Sequence, residues 1–403
     1  MNLNYRNLII LTLSSTLGVS VVAGVVLVGG ILGAQLAPTP LLSTLPVSLL
    51  VVGTALATLP AGMLMQRIGR RWGFIASSLV AALGALLAVL AISVGNFVLF
   101  CLALLLIGLN SAFLQQYRFA VAESVPAKLA GRAVSFLFLG GVVAGILGPQ
   151  LARWGKDWLA LGEYTGSFAL LGVVYALVIV FLLPFREVSP PADPASTAAM
   201  DEKARPLLQV ILQPAYLTAL LAGVAAYGVM SFIMTATPVH MHHIAGFSLS
   251  ETSLVIQSHI IAMFLPSLFT GFLIDRLGVQ RVMLIGLAAL FACVLLGVTS
   301  RAFLGYWGAL VLLGVGWNLL FVGATLLLTR SYLPAERFKA QAFNDFAIFS
   351  SQALLSLSAG AVLFRSSWDI LNLINLPLLT LVLMLVLFSA RRTAQPASAP
   401  QEI

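Results

Sequence analysis

Long apolar segments recur along the whole chain and leave little choice of fold. Only 8% of the 403 residues are charged and 60% are hydrophobic, whereas a soluble domain has about 25% charged residues. A helix needs about 20 predominantly apolar residues to cross the hydrocarbon core of a bilayer. Twelve segments meet this requirement, so the sequence predicts an all-α membrane protein. The predicted spans are 7–33, 43–65, 73–94, 96–121, 132–152, 165–185, 207–236, 251–273, 282–299, 306–330, 340–362 and 370–389.

A short basic turn occurs twice, at the same place in each half of the chain. Gly62–Arg71 reads GMLMQRIGRR, and Gly271–Arg281 reads GFLIDRLGVQR, 209 residues later. A second pair of landmarks, Gly108–Asn110 and Gly316–Asn318, is separated by 208 residues. Two landmarks that recur about half a chain apart predict two homologous halves of six helices each.

The turn between the second and third predicted helices resembles the signature loop of the major facilitator superfamily, G-x-L-x-D-R-x-G-R-R/K. The first copy departs from it at Gln66, where the family has an acidic residue, and the second keeps Asp275 but lacks the paired arginines. The resemblance implies twelve helices in two pseudo-symmetric six-helix bundles, with a central site and transport by alternating access. It also implies that these residues form an inner gate: Gly62, Arg67, Gly69, Arg70, Glu123, Gly271, Asp275, Arg276 and Gly278.

Glu123 has two possible roles. It resembles the family's acid that pairs with an arginine of the signature loop, here Arg70, to form an inner latch. As an ordinary helix-end carboxylate it would instead contribute at most about 1 kcal/mol in a surface pair.

The longest polar stretch separates the two halves. It runs from Glu187 to Arg205 and is rich in Pro, Ala and Ser, which is typical of a flexible linker. We therefore predict an N-terminal bundle at 1–186, a cytoplasmic linker at 187–206, a C-terminal bundle at 207–390 and a disordered cytoplasmic tail at 391–403.

The basic residues predict the orientation in the membrane. If both termini are cytoplasmic, 17 of the 21 Lys and Arg residues lie on the inner side, as the positive-inside rule requires. The four on the outer side are Arg153, Lys156, Arg301 and Arg365. The resemblance implies the bacterial inner membrane. The net charge of +8 lies in short loops, so it does not indicate a nucleic-acid partner.

Motifs for enzymatic chemistry are missing from the sequence. It has no glycine-rich phosphate loop with a lysine, no G-x-S-x-G and no H-E-x-x-H. Cys101 and Cys293 both lie in apolar spans, so they predict neither a disulfide framework nor a metal site. The chain is expected to need no cofactor.

Ionisable residues inside apolar spans are functional candidates, because a charge at membrane depth is costly unless it is paired or faces water. Asp345 could carry a proton or act as a counter-ion of the substrate; it could equally be an acid near a helix N-terminus, favoured there by the helix dipole. Arg118 could belong to an anion site or a proton relay. It could also extend its head group to the interface.

Uncharged polar and aromatic residues within the spans are candidates for lining a central cavity. Each could contact a substrate or could bridge two helices, a contact that averages about 0.6 kcal/mol in membrane proteins. They are Gln115, Gln116, Tyr117, Tyr227, Gln257, His259, Trp317, Asn318, Asn344 and Gln352.

His240, His242 and His243 cluster at the outer end of the seventh predicted helix. They could bind a soft metal ion, form a pH-sensitive outer loop or be uninvolved. The sequence does not choose among these roles, and we predict no metal site.

The sequence therefore predicts a secondary active transporter that moves a small organic solute by alternating access and is coupled to protons. Multidrug or metabolite efflux by proton antiport is the alternative, favoured by the partial Gly-Pro motif at Gly145–Pro149. A non-transporting sensor or scaffold ranks below both. The expected partners are the substrate, protons and the lipid bilayer, and the protein is expected to be monomeric.

Overall fold

The computed structural model describes residues 3–125, 130–186, 205–333 and 336–394. The side chains of a few residues in the helices, Gln66 and Glu123 among them, lie outside the description. The predicted linker and tail fall mostly on residues 187–204 and 395–403, which also lie outside it.

Helices are the only regular elements in the described ranges, and they form twelve spans, α1 to α12. Eleven are long and apolar enough to cross a membrane, and a bent pair supplies the twelfth. The predicted all-α membrane fold is confirmed. The bounds are α1 Leu3–Leu36, α2 Leu45–Ile68, α3 Arg70–Ser93, α4 Phe97–Leu114 and Tyr117–Glu123, α5 Ala130–Trp154, α6 Thr165–Leu182, α7 Pro214–Val239, α8 Leu249–Phe264 and Ser267–Leu277, α9 Val279–Thr299, α10 Phe303–Thr329, α11 Arg337–Arg365, and α12 Trp368–Leu373 and Leu376–Ala394.

Three predicted spans, α4, α8 and α12, are each interrupted by a short break. The two segments of α8 meet at an angle of 44°, and Pro266 lies at the break, where it removes a backbone N–H. The break in α4 falls at Gln115 and Gln116. The end of α12 also differs from expectation, because the helix continues to Ala394, past the predicted bundle end at 390.

The two copies of the signature turn have the same backbone. Gly69 links α2 to α3 with φ 83°, and Gly278 links α8 to α9 with φ 85°. A side chain with a Cβ is strained in this left-handed region, so glycine allows the two helices to join with a single residue between them. The sequence repeat is thus a repeat of local geometry.

Glycines also bring helices together within each bundle. A Cβ on Gly108 of α4 would lie 2.0 Å from the Leu50 carbonyl oxygen of α2. In the second bundle, a Cβ on Gly316 of α10 would lie 2.9 Å from the Gly286 carbonyl oxygen of α9. Such contacts leave no room for a methyl group, so the helices pack backbone to backbone.

The bundles meet along two helix pairs, α2 with α11 and α5 with α8. We call the side where α1 begins and α2 ends the basic face, because it carries both signature turns. The other side, where α1 ends and α2 begins, is the opposite face. The central cavity described below lies between them.

At the opposite face the bundles are in close contact. The Ser48 hydroxyl donates to the Ser356 carbonyl at 2.7 Å, joining α2 to α11. One turn further out, a Cβ on Gly360 would lie 2.3 Å from Thr44 Oγ1. The α1 and α7 ends also touch, because a His243 ring nitrogen lies 3.2 Å from the Ile31 carbonyl oxygen.

At the basic face the same helix surfaces have open space beside them. Gly62 follows Ser48 by 14 residues and so lies on nearly the same side of α2. Gly271 lies in the second segment of α8, beyond the break that follows Phe264, and Phe264 packs on Gly141 of α5. A Cβ built on Gly62 or Gly271 would meet no atom of the described residues within 4 Å. In the part of the chain that the structure describes, this conformation is therefore closed at the opposite face and open at the basic face.

Candidate functional site

A cavity of about 280 Å³ lies near the middle of the molecule, between the two bundles. Its walls come from α1, α2, α4 and α5 of the first bundle and from α7, α8, α10 and α11 of the second. The volume is just below the roughly 300–1,000 Å³ that small-molecule pockets occupy. A site shared by both bundles is the arrangement that alternating access requires.

Aromatic rings cover the C-terminal side of the cavity. The Tyr227 ring meets the Trp317 and Phe321 rings edge to face, with centroids 5.2 and 4.9 Å apart. Trp317 and Phe321 are themselves stacked at 5.4 Å with an interplanar angle of 20°. We call this group the aromatic wall; its members are Tyr227, Phe264, Trp317, Phe321 and Phe349. Such a wall presents both ring faces and ring edges to a flat ligand.

A line of polar side chains follows α4 on the N-terminal side of the cavity. Ser111, Gln115 and Arg118 all line the cavity, so they lie on the same side of α4 even though the helix is interrupted at Gln115 and Gln116. We call them the α4 polar stripe. Ser111 Oγ and Arg118 Nε are buried without a hydrogen-bond partner. Because buried polar atoms normally have partners, these atoms are candidates to bind a ligand.

An ion pair joins the two bundles on the basic-face side of the cavity. Arg118 Nη2 lies 3.8 Å from Asp345 Oδ2, and both side chains are partly exposed, at 25% and 32%. The Asn344 amide also donates to Asp345 Oδ1 at 3.3 Å. Asp345 lies four residues before the cavity residue Phe349, so the pair stands at the open end of the site.

The sequence profile of the Major Facilitator Superfamily matches residues 8–236 and 219–402. The chain belongs to the major facilitator superfamily. It is 38% identical over 398 residues to the riboflavin transporter RfnT of Brucella anthropi, covering 98% of each chain. It is 31% identical to the uncharacterized MFS-type transporter YddS of Bacillus subtilis, covering 97% of this chain and 92% of that one.

A solved structure of the superfamily shares the fold. The transporter FucP, in its outward conformation, matches with a TM-score of 0.60 at 18% identity. The match covers 94% of this chain and 97% of that chain. As a member of the major facilitator superfamily, the protein is a membrane transporter and not an enzyme.

Six of the residues predicted to line a cavity or carry its charge do line it. They are Gln115, Arg118, Tyr227, Trp317, Asn318 and Gln352. The Asn318 side chain is used in hydrogen bonds between helices. Its amide group donates to the Met263 carbonyl and to Ser267 Oγ, and its amide oxygen accepts from the Thr270 hydroxyl. The Gln115 and Gln352 amides make no hydrogen bond within the described residues, so they remain available to a ligand.

The other cavity candidates lie elsewhere in the described structure. Tyr117 is buried in the N-terminal bundle, stacked on Phe74 with centroids 4.1 Å apart. His259 bridges α8 and α10 through the Leu310 carbonyl at 2.8 Å. The remaining candidates outside the cavity lining are Gln116, Gln257 and Asn344.

Several cavity residues carry no signal that distinguishes them from ordinary apolar helix residues. These are Phe138, Met230, Met234, Phe264 and Phe349. Ser111 is different, because its spacing from Gln115 and Arg118 follows one helix face and could have revealed it. A polar residue in an apolar span is easily recognised as a candidate for a binding site. An aromatic residue is not, because ordinary helix packing also accounts for its presence.

The predicted inner-gate residues cluster at the two signature turns on the basic face. The Arg70 guanidinium donates to the Gln116 carbonyl at 3.4 Å, at the break in α4. The Arg276 guanidinium lies over the Phe272 ring at 4.4 Å. The proposed contact between Arg70 and Glu123 involves a side chain outside the described ones. Arg67 and Asp275 are at the ends of α2 and α8.

The histidine cluster is divided among different neighbours. His240 stacks on Trp368 with centroids 4.4 Å apart and is hydrogen-bonded to the Tyr306 hydroxyl. His242 contacts the Phe247 carbonyl, and His243 contacts α1. Within the described residues, no group of three or more His, Cys, Asp or Glu side chains could hold a metal ion.

Proposed function

We propose that the protein imports riboflavin, or a compound with a closely similar ring system, by alternating access. The observation that carries this proposal is the aromatic wall on one side of a cavity that both bundles share. The identity of 38% with a riboflavin transporter over 98% of the chain supports the same choice of substrate.

The chemistry of the ligand matches the cavity. The flavin ring is flat and largely apolar, and one end of it carries carbonyl and ring nitrogen atoms. Stacking on Trp317 or Phe321 would bury its faces, and aromatic pairs contribute about 0.5–1.5 kcal/mol beyond the area they bury. Trp317 Nε1 is buried without a partner and could donate to a ring carbonyl.

In this proposal the basic face is cytoplasmic, as the excess of Lys and Arg on that side indicates. The structure then corresponds to a state open to the cytoplasm, and riboflavin would leave the cavity past Arg118 and Asp345. Import requires a second state in which the opposite face is open and the surfaces at Gly62 and Gly271 are covered.

We further propose that Asp345 couples transport to the proton gradient. It is paired with Arg118 across the bundle interface at 3.8 Å, so its charge contributes directly to the attraction between the bundles. The pair is intact in this state, which is open at the basic face. A proton taken up by the Asp345 carboxylate would remove the attraction and so change the balance between the two states of the transporter. Release of the proton to the cytoplasm would restore the pair.

Efflux of diverse compounds is the second candidate. Met230, Met234 and Met263 line the cavity, and flexible thioether side chains adapt to ligands of different shape. The glycines of the Gly-Pro motif do not add support, because a Cβ on Gly145 would lie 2.9 Å from Ile260 and one on Gly148 2.2 Å from the Ser20 carbonyl. Close packing accounts for them.

Quenching of riboflavin fluorescence by the purified protein tests the choice between these functions. We expect saturable quenching, because stacking on an aromatic ring quenches the flavin, and a loss of affinity of more than tenfold in Trp317→Ala. Trp307→Ala is the matched control, because Trp307 is on the same helix but bonds Ser258 and lies outside the cavity lining.

A different outcome of the binding measurements would identify the protein as an exporter of diverse compounds. If riboflavin is not bound while many unrelated cationic compounds raise the melting temperature, the protein is a multidrug exporter. A ligand at 100 times its dissociation constant adds about 2.7 kcal/mol to stability, so binding by either class would be visible in the same melting measurement.

A further inference from the structure

We propose that the α4 polar stripe binds the polyhydroxylated side chain of the flavin and so determines which flavins are transported. This inference rests on the proposed function and extends it. It assigns the ring to the aromatic wall and the ribityl chain to Ser111, Gln115 and Arg118 on the facing bundle.

The placement of the stripe suits an extended polyol. Ser111 lies in the first segment of α4 and Arg118 in the second, and Gln115 lies between them. Seven residues would span about 10 Å in a continuous helix. All three line the cavity, so they offer hydrogen-bonding groups at successive depths along one wall. A chain of four hydroxyl groups can run parallel to such a series, whereas a compact polar group could reach only one of them.

Part of the hydrogen-bonding capacity of the stripe is unused within the described residues. Ser111 Oγ and Arg118 Nε have no partner, and the Gln115 amide has none within the described residues. A hydroxyl and an amide each donate and accept, which matches the mixed character of a polyol. By contrast, Thr54 and Thr235 also line the cavity but already bond the Leu50 carbonyl at 3.1 Å and Ser356 Oγ at 2.9 Å.

Electrostatics favours a neutral polyol over a phosphorylated one. The positive charge of Arg118 is balanced by Asp345 at 3.8 Å. The other cavity residues are uncharged. A phosphate group would therefore bring uncompensated negative charge into an apolar cavity, which is costly. We infer that flavins with a free ribityl chain are accepted and that phosphorylated flavins are rejected.

Truncation of the ligand together with truncation of the stripe provides the test. Binding of riboflavin and of lumiflavin, which has a methyl group in place of the ribityl chain, is measured by fluorescence on the full-length purified protein. We expect Ser111→Ala and Gln115→Leu each to weaken riboflavin binding roughly 2- to 12-fold, the range for one neutral hydrogen bond. Lumiflavin affinity should not change.

Two controls separate recognition from general damage. Thr58→Ala removes a hydroxyl that bonds only the Thr54 carbonyl of its own helix at 2.8 Å and lies outside the cavity lining, so both affinities should stay as in the wild type. Ser111→Thr keeps the hydroxyl group and should retain more riboflavin affinity than Ser111→Ala. Flavin mononucleotide should compete weakly in every variant.

The outcomes distinguish the inference from the function on which it rests. If the wild type binds riboflavin and lumiflavin equally, or if the stripe variants weaken both ligands to the same extent, the stripe does not bind the side chain and the inference is overturned. If neither flavin binds to the wild type, the proposed function fails first and the inference fails with it.

Discussion

The two ends of the interface between the bundles are built from the same helices and are packed in opposite ways. At the opposite face, Ser48 of α2 bonds Ser356 of α11, and Gly360 lies against Thr44. At the basic face, an added Cβ on Gly62 of α2 would have no neighbour within 4 Å among the described residues. Small residues that would allow close contact between the bundles occur at both ends of the interface. Only the end at the opposite face makes that contact in this state.

The second pair of helices between the bundles, α5 and α8, shows the same difference between its two ends. Gly141 and Gly145 of α5 are covered by Phe264 and Ile260 of α8, while Gly271 further along α8 is open. Both signature turns thus border open space in this state. If transport alternates between two states, the predictions below should affect the two ends of the interface differently.

The largest effect is expected from Gly360→Val. A Cβ at this position would lie 2.3 Å from Thr44 Oγ1 and 3.1 Å from the Leu41 carbonyl oxygen, and overpacking of this kind costs about 1–3 kcal/mol. The opposite face should open, so that cysteines introduced there react faster with a membrane-impermeant reagent. Transport should fall more than tenfold. Gly271→Val is the matched control, and equal labelling in the two variants would refute the contrast.

Asp345→Asn should have the next largest effect, because it removes the ion pair at the basic face. Gradient-driven accumulation of substrate in proteoliposomes should be lost, while exchange of labelled for unlabelled substrate should continue. Accumulation at the wild-type level would show that Asp345 has a structural role and would exclude it as the coupling group.

Glu336→Gln should destabilise the protein at the basic face and should not open the opposite face. Glu336 accepts two hydrogen bonds from the Arg205 guanidinium, both at 2.7 Å, and this contact lowers the pKa of its carboxyl from 4.5 to about 2. Because the folded-state pKa is depressed, the stabilisation is fully present above about pH 4.5 and is lost as the pH falls towards 2.

The variant should therefore lose about 1–3 kcal/mol of unfolding free energy at pH 7 and much less near pH 2. Glu163→Gln gives a comparison at the opposite face, where Glu163 forms an exposed pair with Lys156 worth at most about 1 kcal/mol. Equal losses in the two variants at pH 7 would show that the contact between Glu336 and Arg205 is an ordinary surface pair.

The smallest effect is expected from Gly62→Ala. The added methyl group meets open space in this state, and alanine favours a helix over glycine by about 0.5–1 kcal/mol. The melting temperature should therefore rise slightly. A clear fall would mean that the α2 surface at Gly62 is covered in the purified protein, and that the basic face is closed there.

Prediction of the site from the sequence was only partly possible. Tyr227 and Trp317 line the cavity, but Tyr117, also an aromatic residue within a span, is buried against Phe74. His259 likewise bonds a neighbouring helix. The direction in which a side chain points depends on which helix covers it, and that is a contact between residues far apart in the chain.

The sequence by itself determined the class of fold, the number of spans and the division into two related halves. These follow from local quantities: the length of apolar segments, the cost of exposing backbone groups to lipid and the repeat of a glycine turn. Only the tertiary structure decided which polar residues share a cavity, that Arg118 meets Asp345, and which end of the interface is closed. Those features depend on distances between different helices, and helices that are apolar on nearly every side carry no pattern that fixes which side faces a partner.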